Sequence, residues 1–332
     1  MKLRQLCTML VIGVGPLSLT ACGGGDISSA SSVPPPPPTA TPTPTPTPAP
    51  APIAPAHLGL VSVGPFAVLA VGDSYKTNAA GANRTQLTAP APQDAHFSYN
   101  AATNTYQISL PDFQSGTLVQ TGYDGSAGQP AIGSGSHVSV GATTAVQPLF
   151  VHLPVPGTQA SPYSYTSFGS WTGQMALSTA GELLKAEGRF AYGIPTGSGD
   201  VPLTGSAIYV AEVIGSSADA SELSISGSAT FEFNFGAGTL NGHLNPVIYD
   251  YLAYGSAGLS LGRYDFVNTV YANGSTSFSG GLSQVGVAGN GSFSGQFTGP
   301  NAAELMSSWS APYRNPYTNQ VSQIFGVLVG KH

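Results

Sequence analysis

The chain has 332 residues, of which only 7% are charged, and it contains two cysteines. Without the N-terminal Lys2 and Arg4, seven basic residues remain against fifteen acidic ones, a formal charge of about −8. This balance excludes a surface that could bind a nucleic-acid backbone. Apart from the N-terminus, no apolar run reaches the roughly 20 residues of a membrane-spanning helix.

The N-terminus predicts a secreted lipoprotein. A basic start is followed by an apolar stretch from Leu6 to Leu17 and then by Leu19-Thr20-Ala21-Cys22. We predict a lipoprotein signal peptide over residues 1–21, lipidation of Cys22 by acyl chains such as palmitate, and attachment to the outer membrane, at the cell surface or facing the periplasm. The alternative is an ordinary signal peptide with an incidental cysteine. Since Cys7 leaves with the signal, the mature chain has no thiol for a disulfide.

Residues 22–57 are predicted to be a linker. Pro34 to Pro38 and the Thr-Pro repeats up to Pro55 favour an extended polyproline conformation. Such a segment is typical of a stalk that holds a folded part away from the lipid surface, and the alternative is an unstructured tail.

The remaining chain is predicted to be all-β, in two domains. Gly, Ser and Thr are abundant and helical periodicity is almost absent, which favours short strands. A cluster of Pro and Gly between Pro154 and Pro162 suggests a boundary. We therefore predict an irregular β domain over residues 58–160 and a second domain over residues 161–332.

The second domain is predicted to be an eight-stranded antiparallel up-and-down β-barrel. Phe231, Phe233 and Phe235 alternate with polar residues, and Asn273-Gly274 is a strong hairpin signal. Closure of eight or nine such strands would remove exposed sheet edges. The predicted strands are Tyr165 to Trp171, Leu184 to Ile194, Gly205 to Val213, Leu223 to Phe235, Thr239 to Leu244, Tyr264 to Tyr271, Thr276 to Leu282, Gly291 to Phe297 and Ile324 to Val329.

The C-terminal region has a specific arrangement of elements. The strand ending at Phe297 meets Gly299-Pro300, and proline at a first helical position predicts one short helical turn that continues to Leu305. The apolar run from Ile324 to Val329 is then long enough for one closing strand.

These motifs resemble the transferrin-binding protein B family of surface lipoproteins. The segment Gly291–Leu305 is similar to the family's Gly-x-Phe-x-Gly-x-Phe-x-Gly-Pro-x-Ala-x-Glu motif. Ile194-Pro195-Thr196 with Gly205–Tyr209, and Ala229–Phe235 with Gly238–Gly242, are similar to two further family segments. The resemblance covers roughly residues 165–332 and implies a barrel preceded by a smaller β "handle" domain. The full transferrin receptor has two such lobes, whereas this chain has room for one.

The resemblance implies a binding protein and not an enzyme. We expect an outer-membrane lipoprotein that captures an iron source, either haem or an iron-carrying protein, or another host or environmental ligand, and passes it to a TonB-dependent transporter. The alternative is an envelope structural or adhesion lipoprotein with no role in uptake. The identity of the ligand is not specified by the sequence.

The candidate ligand-binding residues are histidines and aromatics. His96 and His137 lie in the predicted handle, where single-lobe haem binders of this family place an axial ligand, although either also fits a solvated loop position. Tyr163 and Trp171 lie close to the predicted domain boundary. They are either residues that pack the two domains together or part of a ligand-facing patch. Tyr251 lies in a predicted barrel loop. No pair of histidines has the spacing of a zinc site.

One segment has an enzyme-like pattern. The apolar run Val68–Val71 leads into Gly72-Asp73-Ser74, as in esterases that place a nucleophilic serine after a strand. The sequence lacks the Asp-x-x-His and Gly-x-Asn-Asp blocks that such an esterase needs. We therefore interpret the segment as a turn after a handle strand.

Overall fold

The computed structural model describes residues 60, 64–78, 84–100, 105–110, 113–119, 150–152, 162–176, 182–219, 223–249 and 258–332. The predictions for the signal peptide, Cys22, the linker, His137 and Tyr251 lie outside these residues. No helix in the described ranges is long and apolar enough to cross a membrane.

The described chain is all-β, as predicted. Its elements are β1 (Ala67–Asn78), β2 (Thr85–Gln93), β3 (His96–Asn100), β4 (Thr105–Leu110), β5 (Phe113–Val119), β6 (Phe150–His152), β7 (Thr166–Ala176), β8 (Glu182–Gly193), β9 (Ser206–Ser217), β10 (Ser224–Asn234), β11 (Thr239–Tyr249), β12 (Leu259–Ser260), β13 (Tyr264–Val270), β14 (Ser277–Ser283), β15 (Gly291–Thr298), the 3-10 turn η1 (Pro300–Ala302), β16 (Glu304–Arg314) and β17 (Val321–Lys331).

Eight antiparallel strands form a closed barrel. The strands β9, β10, β11 and β13 to β17 each pair with the next in sequence, and β17 pairs with β9 to close the ring, while the two-residue β12 lies beside β11. The predicted up-and-down barrel is confirmed. The inward residues alternate with outward ones, so that Phe231 and Phe233 are buried while Glu232 and Asn234 are exposed.

Five of the strands before the barrel form a second sheet in the order β2-β1-β8-β7-β6, which we call the handle sheet. The strands β3, β4 and β5 form a separate three-stranded sheet. Along β1, Val71 and Asp73 face the barrel and Gly72 faces away from it, because successive residues of a strand alternate sides.

Two strands predicted for the barrel belong to the handle sheet. Residues Thr166–Ala176 pair with Glu182–Gly193, which in turn pair along their whole length with β1. Their alternation is the same as that of a barrel strand, so the pattern alone could not assign the partner. The chain passes from the handle sheet to the barrel between Gly193 and Ser206, and the division at residues 160 and 161 stays a prediction.

One barrel strand was missed. Residues Glu304–Arg314 form β16, where a helical turn was predicted to run on to Leu305; η1 ends at Ala302. Nearly every residue of β16 is buried, on one side by the barrel interior and on the other by the handle sheet. A strand buried on both faces has no alternation of polar and apolar residues to reveal it.

The barrel interior is packed with aromatic rings. Phe233 lies at the centre, with its ring centroid 4.8 Å from that of Phe297, 5.0 Å from Tyr271 and 5.1 Å from Phe278. The buried acidic residues Asp73, Glu187 and Glu304 lie outside the barrel interior. The interior is therefore a core, and the surfaces that can meet a ligand lie outside it.

Candidate functional site: the joint between the handle sheet and the barrel

An apolar layer joins the handle sheet to the barrel. Val71, Phe168 and Ala191 on the sheet pack against Met306 and Val327 on the outer face of β16 and β17. The barrel strands at this position are thus apolar on both faces. We call this contact region the joint.

Tyr163 and Glu304 fasten the first residues of the segment leading into β7. The Tyr163 hydroxyl donates to the Val329 carbonyl at 2.8 Å, and the Glu304 carboxylate accepts the backbone N–H groups of Ser164 at 2.6 Å and Tyr165 at 3.0 Å. Burial, and then the nearby carboxylates of Glu212 and Glu304, raise the pKa of Tyr163. Because Glu304 is 96% buried, with a relative exposure of 4%, both of its bonds form away from water.

Two of the sequence motifs meet at the joint. Pro195 and Thr298 form an isolated antiparallel β-bridge. Beside it, the Thr196 N–H donates to the Phe297 carbonyl at 3.1 Å, and the Gly299 N–H donates to the Ile194 carbonyl at 2.9 Å. Gly299 has φ 74°, and a Cβ atom there would lie 2.4 Å from Cδ2 of Tyr165. Only glycine fits this backbone conformation and this approach.

A buried group of charges lies on the barrel-facing side of the handle sheet. Arg84 Nη2 is 2.8 Å from Asp73 Oδ2, and Arg84 Nη1 is 3.3 Å from Glu187 Oε1. These three side chains are exposed by only 4%, 0% and 7%. Gln86 donates a further hydrogen bond to Asp73 at 2.8 Å, and the Arg84 guanidinium lies 3.5 Å from the centre of the Tyr75 ring. Opposite charges and hydrogen bonds compensate for the loss of water around these groups.

Arg189 is the second cation of this region and crosses to the barrel. Its Nη1 donates to the Gly188 carbonyl at 3.0 Å, and its Nη2 donates to the Ser216 hydroxyl on β9. Burial lowers the pKa of Arg189, and the attraction of Glu187 and Asp73 only partly offsets that effect. The side chain lines a crevice of about 190 Å³ between the handle sheet and the barrel.

A polar cluster fastens two loops at one end of the barrel. Asp219 accepts hydrogen bonds from Asn315 Nδ2 at 2.6 Å, from Ser217 Oγ at 2.7 Å and from the Tyr313 hydroxyl. Burial and the bond to Asp219 raise the pKa of Tyr313. The Asn315 side chain in turn accepts the Tyr317 N–H at 2.8 Å. These bonds connect the segment after β9 to the loop between β16 and β17.

The predicted site residues do not come together. Tyr163 is buried at the joint, which matches the packing role left open by the sequence. Trp171 is buried on the opposite face of the handle sheet, where its ring crosses Gly188 and Gly72 and lies 6.1 Å from Phe190.

His96 lies at the surface of β3. Its Nε2 is 3.3 Å from the Asp94 carboxylate, and its side chain is 75% exposed. Neighbouring Phe97 points to the other side, where it stacks on Tyr192. His96 lines neither the crevice beside Arg189 nor a second crevice lined by Gln86, Pro90 and Val321.

The structure places Gly72-Asp73-Ser74 in the middle of a strand, so the predicted turn is wrong. Glycine is required at position 72 because a Cβ atom there would lie only 2.8 Å from Cζ2 of the Trp171 ring. Asp73 is bound to Arg84, and the Ser74 hydroxyl is hydrogen-bonded to the Thr88 hydroxyl at 2.9 Å. The buried charges were not predicted from the sequence, although a charged residue inside an apolar strand is a clear signal in a chain with so few charged residues.

Among the residues described, no group of His, Cys, Asp and Glu could hold a metal ion. No family model matches the chain, and no curated protein matches it.

Solved structures with a similar fold were found. One is transferrin binding protein B of serogroup B Neisseria meningitidis, with 17% identity and a TM-score of 0.36 over 79% of this chain and 43% of that chain. Another is a double mutant of transferrin binding protein B of Haemophilus parasuis, with 14% identity and a TM-score of 0.35 over 79% and 44%. The N-lobe domain of lactoferrin binding protein B of Moraxella bovis has 11% identity and a TM-score of 0.34 over 78% and 98%.

This chain spans less than half the length of the two transferrin-binding proteins.

Proposed function

We propose that this protein is a lipid-anchored outer-membrane protein that binds an iron source, either haem or an iron-carrying protein, and passes it to a TonB-dependent transporter. The ligand is recognised reversibly, and no covalent bond is made or broken. The lipid on Cys22 holds the protein at the membrane, and the Pro-rich linker extends the folded part away from it.

The observation that supports this proposal best is the convergence of the family-like motifs at the joint. Family-like motifs about a hundred residues apart in sequence meet here: Ile194-Pro195-Thr196 is hydrogen-bonded to Phe297-Thr298-Gly299. Glu304, in the second of these motifs, accepts hydrogen bonds from the residues just before β7. Motif residues that fasten a sheet to a barrel fit a handle-and-barrel binding protein. In such a scaffold, ligand recognition belongs to the loops and the exposed faces.

The aromatic core bears on where the ligand binds. Because rings fill the barrel interior, an iron source would be recognised at the outer surfaces. A haem would need an axial His or Tyr in an apolar cleft, whereas His96 lies on a polar, exposed face. An iron-carrying protein would instead contact a broad surface, and it is the ligand that we favour.

Binding measurements on the mature chain from Cys22 test the proposal. Haemin would be titrated against the wild-type protein and the His96→Ala variant while the Soret band is followed, with His243→Ala as the matched control on the barrel. Iron-loaded and iron-free transferrin and lactoferrin would be tested in parallel by surface-immobilised binding. We expect saturable binding of one iron-loaded carrier that is weaker for its iron-free form.

A flat response to haemin and to both carriers would overturn the uptake role and favour an envelope structural or adhesion role. Anchoring is tested separately by labelling cells with palmitate. Label on the wild-type protein that is absent from Cys22→Ala supports the lipid anchor, and equal label on both contradicts it.

A further inference from the structure

Arg189 makes no direct ion pair within the described ranges, unlike Arg84 beside it. The nearby acids Asp73 and Glu187 both bind Arg84. The hydrogen-bond partners of the Arg189 guanidinium are the neutral Gly188 carbonyl and Ser216 hydroxyl. A guanidinium carries five N–H donors, so two bonds to neutral acceptors leave further donors available.

The guanidinium lines a crevice that is already supplied with further donors. The crevice opens between β7 and β8 on the handle sheet and β9 and β10 on the barrel, and Ser170 and Ser224 form part of its wall. Within the described part of the chain, neither of these serine hydroxyls has a hydrogen-bond partner. Phe168, Ile214 and Ile225 supply the apolar remainder of the wall, which strengthens electrostatic attraction inside it.

The size of the crevice suits a small ion. Its volume of about 190 Å³ is many times the roughly 10–15 Å³ that one water molecule needs by the same kind of measure. The long axis of a haem or the surface of a protein could not enter such a space, but a group of four or five atoms could.

We propose that the crevice binds one small oxyanion, a carboxylate or phosphate group, against the guanidinium of Arg189 and the hydroxyls of Ser170 and Ser224. The planar guanidinium matches two oxygens of such a group, and the hydroxyls donate to the others. The bound ion touches the handle sheet and the barrel at once. It therefore strengthens the joint as well as occupying the site.

Calorimetric titrations of the mature protein with phosphate and with acetate test this inference, at neutral pH and at a constant ionic strength set with sodium chloride. The two anions distinguish a preference for phosphate from one for carboxylate. We expect saturable one-site binding of at least one of them below ~10 mM, and a rise in the unfolding temperature at the same concentrations.

The variants separate the site from general salt effects. Arg189→Met should weaken binding about tenfold or more, and Ser170→Ala with Ser224→Ala should weaken it about threefold to tenfold. The control Arg263→Met, which removes an exposed arginine paired with Asp265, should bind as the wild type does. If Arg189→Met does not fold, Arg189→Lys and the serine variant give the answer, because both keep the positive charge.

The proposal is overturned if neither anion gives saturable heat up to ~10 mM. It is also overturned if the serine double variant and Arg189→Lys bind as tightly as the wild type. In that case neither the planar guanidinium nor the hydroxyls would take part in binding. These results are independent of the tests with haemin and iron carriers, so the two proposals can fail separately.

Discussion

The barrel interior and the joint hold the same strands by different means. Inside the barrel, a buried cluster of aliphatic and aromatic side chains fills the space between the strands. On the outside of the same β16 and β17, the joint combines an apolar layer with the charged side chains of Asp73, Arg84, Glu187 and Glu304. Apolar packing depends little on direction, whereas ion pairs and charged hydrogen bonds depend on it strongly.

This difference suggests a division of roles. The aromatic core supplies most of the free energy of folding, because each ring buries a large apolar area. The charges at the joint contribute less net free energy, since they lose their hydration on burial, but they fit only one placement of the sheet on the barrel. The core therefore stabilises the barrel, and the joint fixes the orientation of the handle sheet on the barrel.

The largest effect is expected for Phe233→Ala. The side chain is 1% exposed and contacts rings on several strands, so its removal leaves a cavity at the centre of the barrel. The free energy of unfolding should fall by about 3–5 kcal/mol. Urea unfolding followed by circular dichroism measures it, with Val285→Ala, at a fully exposed position, as the control. A loss below about 1 kcal/mol would contradict a tightly packed interior.

Arg84→Met should cost nearly as much, for an electrostatic reason. The substitution keeps much of the side-chain volume but leaves two carboxylates buried without their cation, at a cost of about 3 kcal/mol. Adding Asp73→Asn and Glu187→Gln should recover part of the loss, because it removes the unpaired charges. The exposed counterpart Arg263→Met should change stability by less than about 0.5 kcal/mol. If the triple variant were less stable than Arg84→Met, the buried charges would not be the cause.

Glu304→Gln should have a smaller effect that is local to the joint. The amide can accept only one of the two backbone N–H groups with its oxygen and turns its own N–H groups toward the other. We expect a loss of about 2 kcal/mol and faster hydrogen exchange at Ser164 and Tyr165. Glu232→Gln, on the exposed face of β10, is the matched control. Unchanged exchange at both amides would show that Glu304 does not hold this segment.

The smallest effect at neutral pH is expected for Tyr163→Phe, and its sign should reverse in alkali. Loss of the bond to Val329 costs about 1 kcal/mol. The pKa of Tyr163 is raised above its ordinary value of 10.0 by burial, so its contribution is present below pH 10 and is lost as the pH rises above it. Unfolding then releases the phenolic proton, which lowers stability by ~1.4 kcal/mol per pH unit.

The phenylalanine variant lacks this proton, so its stability should fall less steeply above pH 10 than that of the wild type. Denaturant unfolding at a series of alkaline pH values would measure both slopes. Parallel curves for the two proteins would mean that Tyr163 ionises equally in the folded and unfolded states.

The barrel was largely predictable because most of its strands have one face in the core and one in solvent. The structure confirms three local signals: the alternating phenylalanines from Phe231 to Phe235, the Asn273-Gly274 hairpin and the closing strand. The same alternation in β7 and β8 predicted strands correctly but not the sheet to which they belong. Sheet membership depends on contacts with β1, about a hundred residues earlier in the chain.

The joint was not predictable as a site. The motif containing Glu304 was recognised by its resemblance, but nothing in its spacing indicated that the carboxylate binds the N–H groups of Ser164 and Tyr165. Arg84, Asp73 and Glu187 are distant in sequence and meet only because β1 and β8 pair in one register. A search for charged residues within apolar strands would have found Asp73 and Arg189, without finding their partners.

The closure of the barrel by β17 has a consequence for the order of folding. Val210 on the first barrel strand is paired with Lys331 on β17, so the ring cannot be completed before β17 has been made. The same strand also supplies the apolar surface on which the handle sheet rests. A chain made only as far as β16 is therefore incomplete at both places, since it lacks the strand that closes the barrel and part of the surface that supports the handle sheet.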